Sequence, residues 1–155
     1  LICEHNEDGS IGLVLNRPSI FRINEMVSNF PAFQGFVNYG GPVGMDRLNY
    51  IHCYGDILEG SFPIKDNLYW NGNFEQLKEL IKDKQILPQN IQFFAGYAGW
   101  EAGQLHEEMQ DQSWIVSKDY PEIFKMSEYM WQEVLVKMGG KNKLLSTFPE
   151  NPQLN

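Results

Sequence analysis

Apolar residues come in short runs broken by turn formers over the first half of the chain, and at helical spacing over much of the second. Residues 1–5 read as a strand, closed by Asn6-Glu7-Asp8-Gly9-Ser10, a hairpin-type turn with Asp-Gly at its centre. The mostly apolar residues 11–16 return as a second strand, stopped by Arg17-Pro18. Residues 23–29 are spaced for a short helix. Val37-Asn38-Tyr39 leads into Gly40-Gly41-Pro42-Val43-Gly44, a loop governed by its backbone. Residues 48–54 are β-rich, and Leu68-Tyr69-Trp70 is a short strand before Asn71-Gly72.

Helices dominate the second half. Asn73 with Gln76 three residues on is a capping-box pattern. Phe74, Leu77 and Ile81 form one apolar face, which predicts an amphipathic helix over 73–84, ended by Ile86-Leu87-Pro88. Residues 91–97 read as a central strand and 113–116 as another short one. Asp119, with Glu122 three residues on, is expected to cap a long helix. Ile123, Met130, Val134 and Met138 give its apolar stripe, Phe124, Trp131 and Leu135 widen it, and Gly139-Gly140 ends it. Residues 148–155 read as an extended tail. Strands precede helices rather than alternating with them, which predicts an α+β fold.

No repeat, linker or low-complexity tract divides the chain, and 155 residues suit one domain over 1–155. No apolar run approaches the roughly 18 residues of a membrane span. The chain opens Leu-Ile-Cys-Glu-His in mid-strand and without Met, which points to a missing upstream segment. Two cysteines, Cys3 and Cys53, are too few for a disulfide scaffold and suit a reducing cytoplasm. Each is expected to be a small buried apolar residue.

Charge changes the functional picture. The chain carries a net charge of −8. Over residues 101–133, eight acidic residues face only Lys118 and Lys125. Such a surface repels phosphates, so direct nucleic-acid binding is not expected. Lys137, Lys141 and Lys143 complement a helix C-terminus instead.

The stretch FFAGYAGWEAGQLHEEM, residues 93–109, carries the strongest motif-like signal. Its glycines, Gly96, Gly99 and Gly103, match neither the dinucleotide fingerprint nor the P-loop. No Ser or Cys stands where a nucleophile elbow needs one. Glu101 near the helix start disfavours a bound phosphate. The stretch therefore reads as a strand-to-helix corner, with Ala102, Leu105 and Met109 packing the helix on the sheet and Tyr97 and Trp100 as a weak ligand pocket. Cys3 and His5 share a strand face, whereas the adjacent His52 and Cys53 point oppositely, so a zinc site needs a bulge. His106-Glu107-Glu108 is not a zinc-protease motif, and Glu107-Glu108 reads as a solvated acidic face. In Cys3-Glu4-His5 the acid faces away from the other two, which weakens a thiol-catalysis reading. The 40–44 loop has the composition of an anion nest that Arg17 would complement, although a structural turn explains it better.

These segments together resemble the AlgH/YqgE family. The resemblance is carried by LICEHNEDGSIGLVLNRP at 1–18, GGPV at 40–43, LYWNG at 68–72 and the 93–109 stretch, with Trp114-Ile115-Val116 and the closing Asn-Pro-Gln-Leu-Asn in the same order. The family's usual segment before the CEH residues is absent, and His106 stands where the family usually has glutamate. The resemblance implies an α+β domain with a branched, barrel-like, mostly antiparallel sheet and helices packed outside. Members are often labelled transcriptional regulators, and no catalytic residue or cofactor is implied. Asn16, Arg17, Gly40, Gly41, Pro42, Tyr97, Gly99, Trp100, Gly103 and Gln104 are candidates for a shared binding surface. The expected function is a cytoplasmic regulatory protein that binds a protein or small ligand, with any effect on transcription indirect. The alternatives are direct DNA binding and, further off, an enzyme using Cys3, His5, His52 and Cys53.

Overall fold

The computed structural model describes residues 1–118, 123–125 and 127–148. The chain runs β1 (Ile2–Asn6), β2 (Gly9–Gly12), α1 (Ile23–Met26), β3 (Val37–Tyr39), β4 (Val43–His52), β5 (Phe62–Lys65), β6 (Leu68–Trp70), α2 (Phe74–Lys82), β7 (Ile91–Glu101), α3 (Gln104–Gln110), α4 (Met130–Met138) and α5 (Gly140–Leu145). No helix among the described residues is long and apolar enough to cross a membrane.

The first six residues of β7, Ile-Gln-Phe-Phe-Ala-Gly, are all buried, and the strand is longer than any single partner. That length produces the branch. One edge of β7 pairs antiparallel with β4. The other edge is shared: Phe93, Phe94 and Ala95 pair in parallel with β3, and Ala98 to Glu101 pair antiparallel with β2. The main path is β1-β2-β7-β4-β6-β5. Its ends, β1 and β5, approach one another, so the α+β fold is built on a branched, mostly antiparallel, nearly closed barrel.

Phe93 and Phe94 are adjacent, and each is fully buried. Neighbours on a strand point to opposite faces, so β7 feeds two cores. Phe93 joins Val37, Tyr50, Leu77, Ile81 and Ile91 beneath α1 and α2. Phe94 joins Cys3, Leu13, Ile51, Leu68 and Trp70 inside the barrel. Burying one such side chain contributes about 1.5–3 kcal/mol.

Several local expectations meet corrections. The first turn is tighter than Asp8-Gly9 at its centre suggests: Asn6 already pairs with Gly9, leaving Glu7 and Asp8 as the loop. Asn73 does cap α2, accepting from the Gln76 N–H at 3.1 Å. The Gln76 side chain does not return to the cap; it accepts from Glu59 N–H at 2.8 Å and donates to the Ile57 carbonyl at 3.2 Å. Residues 113–116 form no strand, and Trp114, Ile115 and Val116 are exposed. Among the described residues the expected long helix is one short helix, α4, and α5 follows the Gly139 stop as a helix the sequence reading did not include. Asp119 and Glu122 lie outside the described residues, Ile123 and Phe124 precede α4, and Gly139 ends α4 while α5 starts at Gly140. Residues 149–155 of the expected tail also lie outside the described residues.

Candidate functional site

Of the three glycines of the 93–109 stretch, only Gly103 stands at the corner. Gly96 and Gly99 lie inside β7, which continues to Glu101, and the corner falls at Ala102 and Gly103. Gly96 has φ +69°, and a Cβ there would sit 2.6 Å from the Gly41 carbonyl oxygen and 2.8 Å from that of Val43. A Cβ on Gly40 or Gly41 would in turn overlap the β7 backbone. The reason for the glycines is therefore close backbone approach between the 40–41 segment and β7. The Gly96 carbonyl accepts from Asn49 Nδ2 at 3.2 Å, and the Gly40 N–H donates to Ala95 O at 2.8 Å. The Gly40 N–H is thus spent inside the fold, which removes one donor from the anion-nest reading. Gly103 at φ +78° starts α3. α3 does lie against β7 and β2, but of the three apolar positions expected to pack it only Leu105 is half-buried, while Ala102 and Met109 are exposed.

The pairing of β2 with β7 opens a groove on one face. Gly9 stands opposite Glu101 and Ile11 opposite Gly99. That register borders a trough of about 620 Å³, within the roughly 300–1,000 Å³ of ligand sites. Ile11, Val43 and Tyr97 give it apolar surface, and Glu4, Asp8 and Glu101 give it charge. Asn6, Ser10, Gly99 and Trp100 complete the lining, and no Lys or Arg takes part. The Tyr97 ring lies between Gly44 and Gly99, each of whose Cβ positions would be 3.2–3.3 Å from it. Glu4 accepts from Asn6 Nδ2 at 2.8 Å, and Asn6 Oδ1 accepts from Asp8 N–H at 2.9 Å.

The sequence-predicted surface residues thus separate into groups. Tyr97, Gly99 and Trp100 come together on the groove. Gly40 and Gly41 lie against β7 beside Gly96, and Pro42 precedes Val43 of the lining. Gly103 and Gln104 stand just past the end of β7, where Gln104 Oε1 accepts from Glu101 N–H at 2.9 Å. Asn16 and Arg17 are not in the lining; Arg17 is exposed and its carbonyl accepts from Tyr39 N–H at 2.9 Å.

Sequence reasoning missed the residue that organises this corner. Glu108 accepts from Trp114 Nε1 at 2.7 Å, from Trp100 Nε1 at 3.0 Å and from Gln104 Nε2 at 2.8 Å. The two indoles meet edge to face at 5.9 Å. Those bonds, Trp114's first, hold the Glu108 carboxyl below the usual range. Charge alone marks Glu108 as a solvated acid; the available signal was a tryptophan on each side of it, before and after one helix.

The cysteines and histidines stand apart in roles. Burial pushes the Cys3 thiol up to about 12 and raises that of Cys53 as well. Thiolate, the reactive form, is disfavoured at both. His5 Nδ1 meets Ser10 Oγ at 2.7 Å. His52 is fully buried, with Nε2 2.7 Å from the Asn71 carbonyl and Nδ1 accepting from Tyr54 N–H at 3.0 Å. Its pKa is lowered by burial, which the Asn71 bond partly opposes. Among the described residues, no three His, Cys, Asp or Glu side chains cluster as a metal ion requires.

The family model described as AlgH-like matches residues 1–143. A UPF0301 protein of Chlorobium limicola is 39% identical, covering 100% of this chain and 84% of its own length. One from Cytophaga hutchinsonii is 41% identical, covering 100% and 87%. The solution structure of the AlgH protein from Pseudomonas aeruginosa superposes with TM-score 0.72 at 28% identity, over 97% of this chain and 83% of that one. The crystal structure of protein DIP2367 from Corynebacterium diphtheriae, with TM-score 0.76 at 22% identity over 96% and 81%, shares the fold.

Proposed function

The chain belongs to the AlgH-like family, and from that premise we propose that it is a regulatory binding protein, holding a protein or small-ligand partner in the Tyr97/Trp100 groove. Any effect on transcription is then indirect. The observation that carries this reading is the composition of the groove: apolar surface at Ile11, Val43 and Tyr97, acidic residues at Glu4, Asp8 and Glu101, and no basic residue. Such a lining accepts an apolar or cationic group and repels a phosphate backbone. The raised Cys3 and Cys53 thiols give no support to thiol catalysis. The two unbridged cysteines support a reducing cytoplasm as its location.

Two measurements test this. Native mass spectrometry of the full-length protein isolated from its own cells is expected to reveal a bound protein or small molecule in stoichiometric amount. A gel-shift series with duplex DNA is expected to give no specific complex. A duplex affinity that falls steeply with salt, the mark of phosphate neutralisation, would replace this reading with direct DNA binding.

A further inference from the structure

We infer that the occupant of the groove is an extended, basic polypeptide segment of a partner protein. This rests on the reading of the groove as the binding face and names what fits there.

Shape sets the first constraint. β2 and β7 run side by side over four paired residues, from Gly12 opposite Ala98 to Gly9 opposite Glu101. At roughly 3.4 Å per residue, that is about 10 Å of strand-lined surface. It matches three or four residues of an extended chain, whose alternate side chains face the floor and the rim.

Charge sets the second. Glu4, Asp8 and Glu101 belong to a lining that holds no Lys or Arg, and Arg47 lies outside it beside Gly44. The ion pairs of Glu75 with Lys78 and Glu79 with Lys82 lie on α2, away from it. A cationic side chain entering the groove meets the negative potential of these three carboxylates, which also speeds its encounter with the protein.

The mixture of surfaces sets the third. Carboxylates alone would suit any cation, but Ile11, Val43 and Tyr97 add apolar area on the same lining. Lys and Arg cover both at once, because their methylene stems lie on apolar surface while the charged head stays near water and carboxylate. A cation over the Tyr97 ring gains further attraction. That ring is already held between Gly44 and Gly99, so little ordering cost falls on binding.

The test is an amide-resonance titration of the full chain with an acetylated, amidated hexapeptide of alternating lysine and leucine. Its glutamate–leucine counterpart and spermidine are titrated in parallel. The lysine peptide is expected to shift the amides of residues 9–12 and 97–101, more weakly as salt rises. Glu4→Gln and Glu101→Gln are each expected to weaken it roughly two- to fivefold while leaving the free spectrum otherwise unchanged. Equal binding by the glutamate peptide, or spermidine shifting the same amides as strongly, overturns the basic-segment inference and leaves the groove a binding face. If no probe moves the amides of 9–12 and 97–101, both readings fall.

Discussion

The backbones of Gly41 and Gly96 touch: a Cβ on Gly96 would stand 2.6 Å from the Gly41 carbonyl oxygen. This contact locks the start of β4 against the middle of β7, next to Val43 and Tyr97 of the groove. Gly96→Ala meets that backbone and also a φ of +69°, so it is expected to cost about 2 kcal/mol or more. Gly103→Ala has φ +78° but nothing within 4 Å, and is expected to cost only about 1 kcal/mol. Urea unfolding of the two variants checks this. Equal losses would mean that conformation alone, and not the contact, explains Gly96.

Phe93→Ala and Phe94→Ala should each cost about 3–5 kcal/mol. Because the two rings sit in different cores on opposite faces of β7, the double variant is expected to lose close to their sum. A clear departure from additivity in denaturant unfolding would show one coupled core rather than two.

His52 makes stability depend on pH. Its folded pKa lies below the usual value of 6.5 because burial disfavours the charged ring. The unfolded chain therefore binds protons more readily. Stability is complete above about pH 6.5 and declines as pH falls from there through the depressed folded value. Unfolding free energies of the native chain and of His52→Gln, measured across that window, should show a shallower slope for the variant. Equal slopes would assign the acid response to other groups.

Burial of the thiols predicts slow chemistry. With Cys3 pushed up to about 12, alkylation at neutral pH is expected to leave it unlabelled until the chain unfolds, and Cys53 to react more slowly than a free thiol. Rapid labelling of either, followed by mass spectrometry, would revive a thiol-based activity.

Glu108 should titrate as one unit with its indoles. The side-chain N–H resonances of Trp100 and Trp114 are expected to move together on acidification, with a midpoint below the usual carboxylate range. Glu108→Gln should shift both and remove the pH response. Independent midpoints for the two indoles would break the shared clamp.

Much of the placement of strands and helices along the chain was legible because period and punctuation agreed. Leu68-Tyr69-Trp70 before Asn71-Gly72, and Asn73 before an apolar helical face, each carry two signals for one element. The α+β class followed from strands preceding helices, the branched barrel from the family resemblance, and both match the sheet found. What misled was glycine. Gly96 and Gly99 look like a corner, yet local sequence does not reveal that the 40–41 backbone presses on β7 from more than fifty residues away. Apolar spacing misled in part: α3 lies on β7 and β2 with Leu105 half-buried, but Met109 is exposed, and Glu108 ties the helix to Trp100 and Trp114. In the candidate site, the sequence singled out Tyr97 and Trp100. The acidic side of the groove depends on the β1–β2–β7 register, which brings Glu4 and Asp8 beside Glu101, and no local pattern encodes that.

Hydrogen exchange on the full-length protein, alone and with the partner that accompanies it from cells, tests the central claim most directly. Binding at the groove predicts new amide protection concentrated in residues 4–12 and 97–104, with α2 and β6 unchanged. Protection elsewhere, with those two segments exchanging as in the free protein, would contradict the groove as the binding face.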